Sequence, residues 1–280
     1  MRRIEGVELE DLDWLPPTLR EASHGVLRFV GEVSGQWRRI GRVVERTLER
    51  TGEREILDLA SGGTGPLLRI AHDLLARGRL QRVTFSDRSP DEAARALIGG
   101  LGDPRLRYHP TPLDARDAPG EQAGLRTMLN AFHHLAPAQA QDVLQAVVQT
   151  RRPLLVVEVL QRRVRTLLWL LSSPFLVLVA IPTLRPTRLS WWVLTYLVPV
   201  IPLFVLWDAL VSCLRIYTPT ELLEIAHRAD PAGTFHWEIE EIAFPAQPVT
   251  GIALVGLPRP GPGRDPFPPP HSLPPSRDSE

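Results

Sequence analysis

The sequence contains no lysine: all 32 of its basic residues are arginines. Schiff-base and pyridoxal-phosphate enzymes need a lysine amine at their active sites, and a P-loop nucleotidase needs one to bind phosphate. These three classes of enzyme are therefore excluded. The basic residues are balanced by 32 acidic ones, so the overall charge gives no reason to expect a nucleic acid partner.

Cysteine is also scarce. The single cysteine, Cys213, excludes an intramolecular disulfide and a multi-cysteine zinc site. No metal ligands are assigned from the sequence. The N-terminus, Met1-Arg2-Arg3 followed by acidic residues, lacks the apolar core of a signal peptide, so we expect a protein that is not exported.

One stretch organises the chain. An apolar run ends in an acid at Asp58, continues through the small-residue loop Ala60-Ser61-Gly62-Gly63-Thr64-Gly65, and opens into a helical pattern from Leu67. Glycines let the backbone approach a ligand closely, and the free N–H groups of a helix start point into such a loop. The stretch predicts a strand, a turn and a helix that together hold a nucleotide-like molecule.

Around this stretch, apolar strands alternate with helical patterns, which predicts an α/β fold with a Rossmann-like, mostly parallel sheet and helices on both faces. The last two strands are expected to be antiparallel. The predicted strands are Ile56–Leu59, Arg82–Ser86, Leu106–Pro110, Gly124–Leu129, Pro153–Leu160, His236–Ala243 and Val249–Leu257, and the predicted helices between the first five are Pro66–Arg77, Pro90–Gly99 and Pro137–Thr150. Ligands are expected beyond the carboxyl ends of the parallel strands.

Four regions follow from these patterns. Residues 1–50 carry two amphipathic helices that cover an edge of the sheet or close over the ligand loop. Residues 51–165 and 216–258 form the ligand-binding domain, with a capped helix starting at Thr218. Residues 259–280, rich in proline, are predicted to be disordered.

The fourth region, 166–215, is a hydrophobic helical insert between the fifth and sixth strands. Its two apolar runs, Leu167–Leu184 and Leu189–Trp207, are each long enough as a helix to cross about 27–30 Å of hydrocarbon. Two such helices would form a membrane hairpin, and the arginines on the domain side favour the cytoplasmic face. Internal prolines would bend or break both helices. The insert can instead lie in the membrane interface. If it is only a lid over an apolar substrate, we expect the protein to be soluble and cytoplasmic.

The loop after Asp58 allows three interpretations. A phosphate-binding P-loop lacks its Gly-Lys-Ser/Thr, and a dinucleotide fingerprint lacks its third glycine because Leu68 stands there. The third interpretation, a methyl-donor loop, is supported by the acids and the histidine pair that follow in order: Asp87 in Thr84-Phe85-Ser86-Asp87, Asp114 in Leu113-Asp114-Ala115, and Asn130-Ala131-Phe132-His133-His134.

In this order of motifs, the chain resembles the class I S-adenosylmethionine-dependent methyltransferases over Arg54–Gln161 and Thr218–Leu257. The resemblance implies S-adenosylmethionine as cofactor, with Asp87 on the ribose hydroxyls and Asp114 near the adenine amine. The residues implied in cofactor binding are Asp58, Ala60, Ser61, Gly62, Gly63, Gly65, Asp87, Asp114 and Asn130. Ala60 departs from the usual first glycine of the motif.

Other side chains are candidates for the chemistry. His133 and His134 follow a strand, where either can serve as a general base, although methyl transfer does not always need one. Glu158, Asp208 and Tyr217 are candidate substrate contacts. The last two lie in Trp207–Tyr217, which resembles a segment that recurs in uncharacterised bacterial methyltransferases.

The sequence therefore predicts methyl transfer to a hydrophobic or amphiphilic small molecule or lipid, at a membrane and without a nucleic acid partner. Two alternatives remain open: a membrane-anchored binding scaffold with an unused nucleotide fold, and a nicotinamide-dependent oxidoreductase.

Overall fold

A computed structural model describes residues 1–260, so the predicted disordered tail lies almost entirely outside the described residues. Seven strands form one sheet in the order β3-β2-β1-β4-β5-β7-β6. The strands are β1 (Glu55–Asp58), β2 (Arg82–Phe85), β3 (Leu106–Tyr108), β4 (Leu125–Leu129), β5 (Leu154–Glu158), β6 (Phe235–Ala243) and β7 (Thr250–Pro258). The first five are parallel, and β7 runs antiparallel to both β5 and β6. The predicted α/β fold is confirmed.

Helices cover both faces of this sheet. Their bounds are α1 (Pro17–Val33), α2 (Gln36–Thr51), α3 (Gly65–Ala76), α4 (Glu92–Gly100), α5 (Pro137–Thr150) and α10 (Pro219–Ala229). The side chains of α2 and α3 form one core against the sheet, and those of α5 and α10 form a second core on its other face. Thr218 caps α10 as predicted: its Oγ accepts from the Glu221 N–H, and the Glu221 carboxylate accepts from the Thr218 N–H.

The hydrophobic insert consists of short segments: α6 (Val164–Leu170), α7 (Ser173–Ala180), α8 (Leu189–Trp192) and α9 (Val200–Arg215). The first apolar run bends by 41° between α6 and α7, and the second bends by 78° before α9, where Pro199 stands at the N-cap. Across residues 1–260, no single helix has the length and apolar character needed to cross a membrane, while the two bent pairs reach that threshold by length and composition alone. Neither apolar run forms one continuous spanning helix, and the expected bending at prolines is confirmed.

A third core joins the insert to the N-terminal region. Val26 of α1 packs with Ile181, Trp191 and Ile201 of the insert. The Trp191 Nε1–H also donates to the Thr18 carbonyl at 3.1 Å. Helix α1 therefore bridges the insert and the sheet domain, while α2 packs directly on the sheet.

Candidate functional site

The loop between β1 and α3 leaves open space for a ligand. Gly62 has a φ of +46° and Gly65 a φ of +43°, and a Cβ added at either position would meet no atom within 4 Å. Thr64 lies between them with a φ of 73°, a left-handed conformation that a non-glycine residue adopts only under strain. The loop therefore exposes backbone at Gly62 and Gly65 at the carboxyl edge of the sheet, and the binding of a cofactor by Gly62, Gly63 and Gly65 stays a prediction.

Asp58 holds this loop from beneath. Its carboxylate is buried and accepts hydrogen bonds from the Thr127 hydroxyl at 2.6 Å and from the Ser61 hydroxyl at 2.7 Å. Ser61 in turn accepts from the Ser86 N–H, which connects the loop to the end of β2. Asp58 and Ser61 therefore position the loop rather than face the open space, and Ala60 is half-buried above the second core.

Burial raises the pKa of Asp58 to about 6, despite the lowering effect of the two hydroxyl donors. Because the folded-state pKa exceeds the usual 3.8, the folded protein binds the proton more tightly and loses stability as the pH rises between those values. Relative to Asp58→Asn, the unfolding free energy of the wild type should fall by up to about 3 kcal/mol over that interval. Urea titrations of both proteins from pH 4 to pH 8 measure the difference, and a difference that does not change with pH would contradict this assignment.

Asp87 lies beside the loop at the end of β2. Its Oδ2 accepts from the Gly62 N–H at 2.9 Å, and its Oδ1 accepts from the Ser89 N–H at 2.8 Å. Each oxygen of a carboxylate can accept a second hydrogen bond, so both remain able to accept one from a ligand. The side chain is half-buried, which places an anionic acceptor at the rim of the open space.

Tyr108, at the end of β3, was missed by the sequence analysis. Its hydroxyl lies 3.5 Å from the Gly62 carbonyl, and Arg95 stacks over its ring at 5.5 Å. Burial and the nearby Asp87 charge raise the pKa of Tyr108 to about 12, so its hydroxyl stays protonated. An aromatic residue at the end of the third predicted strand was the signal that could have identified it.

Asp114 and Asn130 both make polar contacts with other groups of the protein. The Asp114 carboxylate accepts from the Arg116 backbone N–H and guanidinium, which lowers its pKa to about 2. Asn130 follows β4 with a φ of 56°, a left-handed conformation that asparagine tolerates, and its Oδ1 lies 3.5 Å from the Val159 N. Their contacts with the cofactor stay predictions.

The first 16 residues, which precede the two N-terminal helices, lie against α9 and the turn after β4. Residues 1–16 are held by α9: the Leu9 and Glu10 N–H groups donate to the Asp208 carboxylate, and the Trp207 Nε1–H donates to the Val7 carbonyl. Burial raises the pKa of Asp208 to about 6. Asp208 of α9 therefore binds the backbone of residues 1–16, which we call the strap. A contact of Asp208 with substrate stays a prediction.

The strap brings acidic residues to the histidine pair. His133 is buried, with its Nδ1 2.8 Å from Glu158 Oε2 and its Nε2 3.7 Å from Glu8 Oε1. His134, with 36% of its side chain exposed, has its Nδ1 3.4 Å from Asp11 Oδ1. Burial opposes protonation of His134, but the Asp11 hydrogen bond and the charges of Glu8 and Asp11 raise its pKa. The predicted histidines and Glu158 are thus brought together.

Tyr217 and two arginines complete this cluster. Arg3 lies over the Tyr217 ring at 4.4 Å, and the Tyr217 hydroxyl donates to the Leu135 carbonyl at 2.6 Å. Arg215 contacts Glu8 at 3.2 Å and Asp11 at 2.9 Å. Tyr217 is buried, so the structure gives it a packing contact, and its predicted contact with substrate is not tested.

Glu158 stabilises the turn after β4 because it accepts from both the backbone N–H of His133 and its Nδ1–H. Glu158→Leu leaves both donors unpaired in the core, and we expect it to lower the unfolding free energy by about 3–5 kcal/mol. Glu158→Gln keeps an acceptor and should cost about 1 kcal/mol. Glu241, which is exposed and pairs with Arg163, provides the control. Glu241→Leu should lower the unfolding free energy by less than about 1 kcal/mol. Urea denaturation gives all three values, and similar losses for Glu158→Leu and Glu241→Leu would contradict the assignment.

No family model matches the chain, and no curated protein matches its sequence. Among solved structures, the methyltransferase domain of bacterial CtHen1-CN aligns at 15% identity with a TM-score of 0.50, covering 80% of this chain and 100% of that one. The plantazolicin methyltransferase BpumL, in complex with S-adenosylhomocysteine, aligns at 12% identity with a TM-score of 0.51, covering 86% of this chain and 98% of that one. At these identities the likeness shows the fold alone: the chain has the fold of S-adenosylmethionine-dependent methyltransferases.

Proposed function

We propose that this protein is an S-adenosylmethionine-dependent methyltransferase. The observation that carries the proposal is the pairing of Asp87 with the Gly62 N–H beside a loop that has open space above Gly62 and Gly65. A nucleoside needs both features: a carboxylate that accepts from two ribose hydroxyls, and a backbone free of side chains where the ligand lies. When bound, the cofactor supplies a methyl group on a positively charged sulfur.

The residues of this chain have distinct roles in the proposal. Asp87 binds the ribose, Asp114 binds the adenine amine, Tyr108 borders the loop at Gly62, and Asp58 keeps the loop in position. Transfer of a methyl group is an in-line displacement that depends mainly on the alignment of acceptor and donor. Asn130 and the two histidines follow β4, whose end borders the loop through the contact of Asp58 with Thr127.

His133 and His134 are the candidate general bases. His133 is enclosed between Glu158 and Glu8, so its contacts favour a positioning role. His134 is partly exposed and beside Asp11, so it is the histidine that an acceptor can reach. A proton released by an acceptor hydroxyl or amine would pass to its imidazole.

We further propose that the acceptor is a hydrophobic or amphiphilic small molecule or lipid, reached from the cytoplasmic face of a membrane. The insert supports this proposal because it leaves a large apolar surface exposed, with 80% of Leu189, 78% of Leu197 and 70% of Phe175 accessible. Exposed apolar patches of this kind are typical of membrane or partner surfaces. The bent segments favour an insert that lies in the membrane interface.

The insert and the donor loop are also connected through α1. Gly25 of α1 lies against Leu184 of the insert, and His24 of the same helix lies near Gly63 of the loop. A substrate gathered by the insert would therefore be close to the cofactor. This arrangement supports an acceptor that partitions into lipid.

Transfer of a labelled methyl group tests the proposed reaction. The full chain is incubated with methyl-labelled S-adenosylmethionine and a bacterial lipid extract, with the Asp87→Ala variant as the control. We expect label in the organic phase only with the wild type. Donor binding without transfer to any acceptor would favour the second candidate, a membrane-anchored scaffold. Two features suggest this alternative: Ala60 stands at the usual glycine position, and the Asp114 carboxylate is already paired with the Arg116 guanidinium.

A further inference from the structure

Both imidazoles of the histidine pair direct the same nitrogen at one carboxylate. His133 Nε2 lies 3.7 Å from Glu8 Oε1, and His134 Nε2 lies 3.9 Å from Glu8 Oε2. The rings are adjacent, with centroids 4.3 Å apart. The three side chains offer ligand atoms that all lie within 4.8 Å of one another.

The opposite nitrogen of each ring faces a carboxylate. His133 Nδ1 is 2.8 Å from Glu158 Oε2, and His134 Nδ1 is 3.4 Å from Asp11 Oδ1. A hydrogen on Nδ1 is therefore donated to the acid, and the lone pair is left on Nε2. Metal-binding histidines are oriented in this way by an acid behind each ring.

The separations from Glu8 are too long for direct hydrogen bonds. Ligand atoms bound tetrahedrally to one ion at 2.0–2.1 Å would lie about 3.4 Å apart. The observed 3.7 Å and 3.9 Å exceed this value by a few tenths of an ångström. These two separations involve different oxygens of Glu8, and one ligand atom from each of the three side chains lies within 4.8 Å of the others. Binding of one ion therefore requires the two imidazoles and the Glu8 carboxylate, which the strap carries, to move closer together.

The charge of the cluster also favours a bound cation. Glu8, Asp11 and Glu158 are three carboxylates, and Arg215 is the guanidinium that contacts two of them. Arg3 is paired with Glu5 and donates to carbonyls of the turn. When both imidazoles are neutral, as metal binding through Nε2 requires, three carboxylates and one guanidinium leave two negative charges, which one divalent ion balances.

We propose that Glu8, His133 and His134 bind a divalent transition metal, with Glu158 and Asp11 orienting the imidazoles. Two nitrogens and one carboxylate oxygen suit zinc, cobalt, manganese or iron, whereas magnesium and calcium prefer oxygen ligands alone. The ion ties the strap to the end of β4, because Glu8 comes from one and the histidines follow the other. This site shares the histidine pair with the proposed function: when the ion is bound, His134 Nε2 is a ligand and does not act as the general base.

Cobalt provides the spectroscopic probe. The full chain is treated with a chelator, dialysed, and titrated with Co²⁺ while the visible absorption of the ion is recorded. We expect saturable bands at one equivalent, which Zn²⁺ displaces and Mg²⁺ does not. The midpoint of thermal unfolding should rise by about 5 °C at a hundredfold excess of zinc over its dissociation constant. Absence of the bands and of the shift in the wild type would overturn the proposal.

Matched variants assign the ligands. Glu8→Gln and His134→Ala should each abolish the bands at one equivalent, whereas Glu241→Gln and His236→Ala, which alter exposed side chains on β6, should not change them. Asp11→Asn alters the carboxylate that faces His134 Nδ1 but no ligand atom, and it should weaken metal binding by about 10- to 100-fold. Equal affinity in Glu8→Gln, Asp11→Asn and the wild type would place the ion elsewhere. Binding of S-adenosylhomocysteine, measured in the same preparations, keeps a failure of this site separate from a failure of the proposed function.

Discussion

The Asp87→Ala variant is expected to bind S-adenosylhomocysteine about 100- to 10,000-fold more weakly than the wild type. The carboxylate would accept from two ribose hydroxyls, and a hydrogen bond to a charged group contributes about 1.5–3 kcal/mol. Two such bonds together contribute about 3–6 kcal/mol, and each 1.4 kcal/mol changes the dissociation constant about tenfold. The variant also frees the Gly62 N–H, which loosens the loop.

The control for this prediction is Asp103→Ala. Asp103 precedes β3 and pairs with Arg105 at 2.7 Å, so its removal changes the net charge equally but does not touch the loop. Isothermal titration calorimetry of the three proteins gives the dissociation constants. Equal affinities for Asp87→Ala and Asp103→Ala would remove Asp87 from the binding site.

Replacing Leu189 and Leu197 by glutamate should weaken binding to lipid vesicles by about 100-fold. These side chains are the most exposed leucines of the insert, and each substitution exchanges a residue that favours the bilayer for one that opposes it. A loss of about 1.4 kcal/mol for each site in the interface corresponds to a factor of ten. The prediction applies to vesicles of phosphatidylcholine and phosphatidylglycerol.

Flotation of the full chain with these vesicles measures the effect. The control is Leu97→Glu with Leu101→Glu on and after α4, two leucines that are also exposed but lie outside the insert. We expect the wild type and the control to float and the insert variant to remain at the bottom of the gradient. If all three proteins remain at the bottom, the insert serves as a cover for the substrate.

Hydrophobic periodicity was sufficient to predict the elements of the sheet domain. The predicted α5 agrees with the observed Pro137–Thr150, and β6 and β7 were placed within one residue of their observed bounds. These elements are bounded by strong local signals, such as the proline at the start of α5 and the capping box at Thr218. The antiparallel pairing of β6 and β7 was also predicted correctly.

The insert shows what local pattern does not determine. Leu189–Trp207 contains apolar residues throughout, so its pattern has no period that would place a bend. The sharp bend lies at Pro199, and the packing of Ile201 and Trp191 against α1 depends on contacts with residues more than 150 positions away. Composition indicated that prolines would break the helices, but the angle of 78° follows from tertiary packing.

The candidate site was predicted in part for the same reason. The proximity of Asp87 to the loop after β1 was predictable because both follow parallel strands whose ends meet at one edge of the sheet, and the structure places them in contact. Glu8 and Asp11 were missed because no local motif connects the strap with the histidines more than 120 positions later. Their approach depends on Asp208 of α9, which binds the strap through two backbone N–H groups.

Calorimetric titration of the wild-type full chain with S-adenosylhomocysteine, alongside a titration with NAD, tests the central claim most directly. The account predicts one saturable site for S-adenosylhomocysteine and no measurable binding of NAD, since Leu68 stands where the dinucleotide fingerprint needs its third glycine. Binding of NAD, or no binding of S-adenosylhomocysteine at a concentration that saturates methyltransferases, would contradict it.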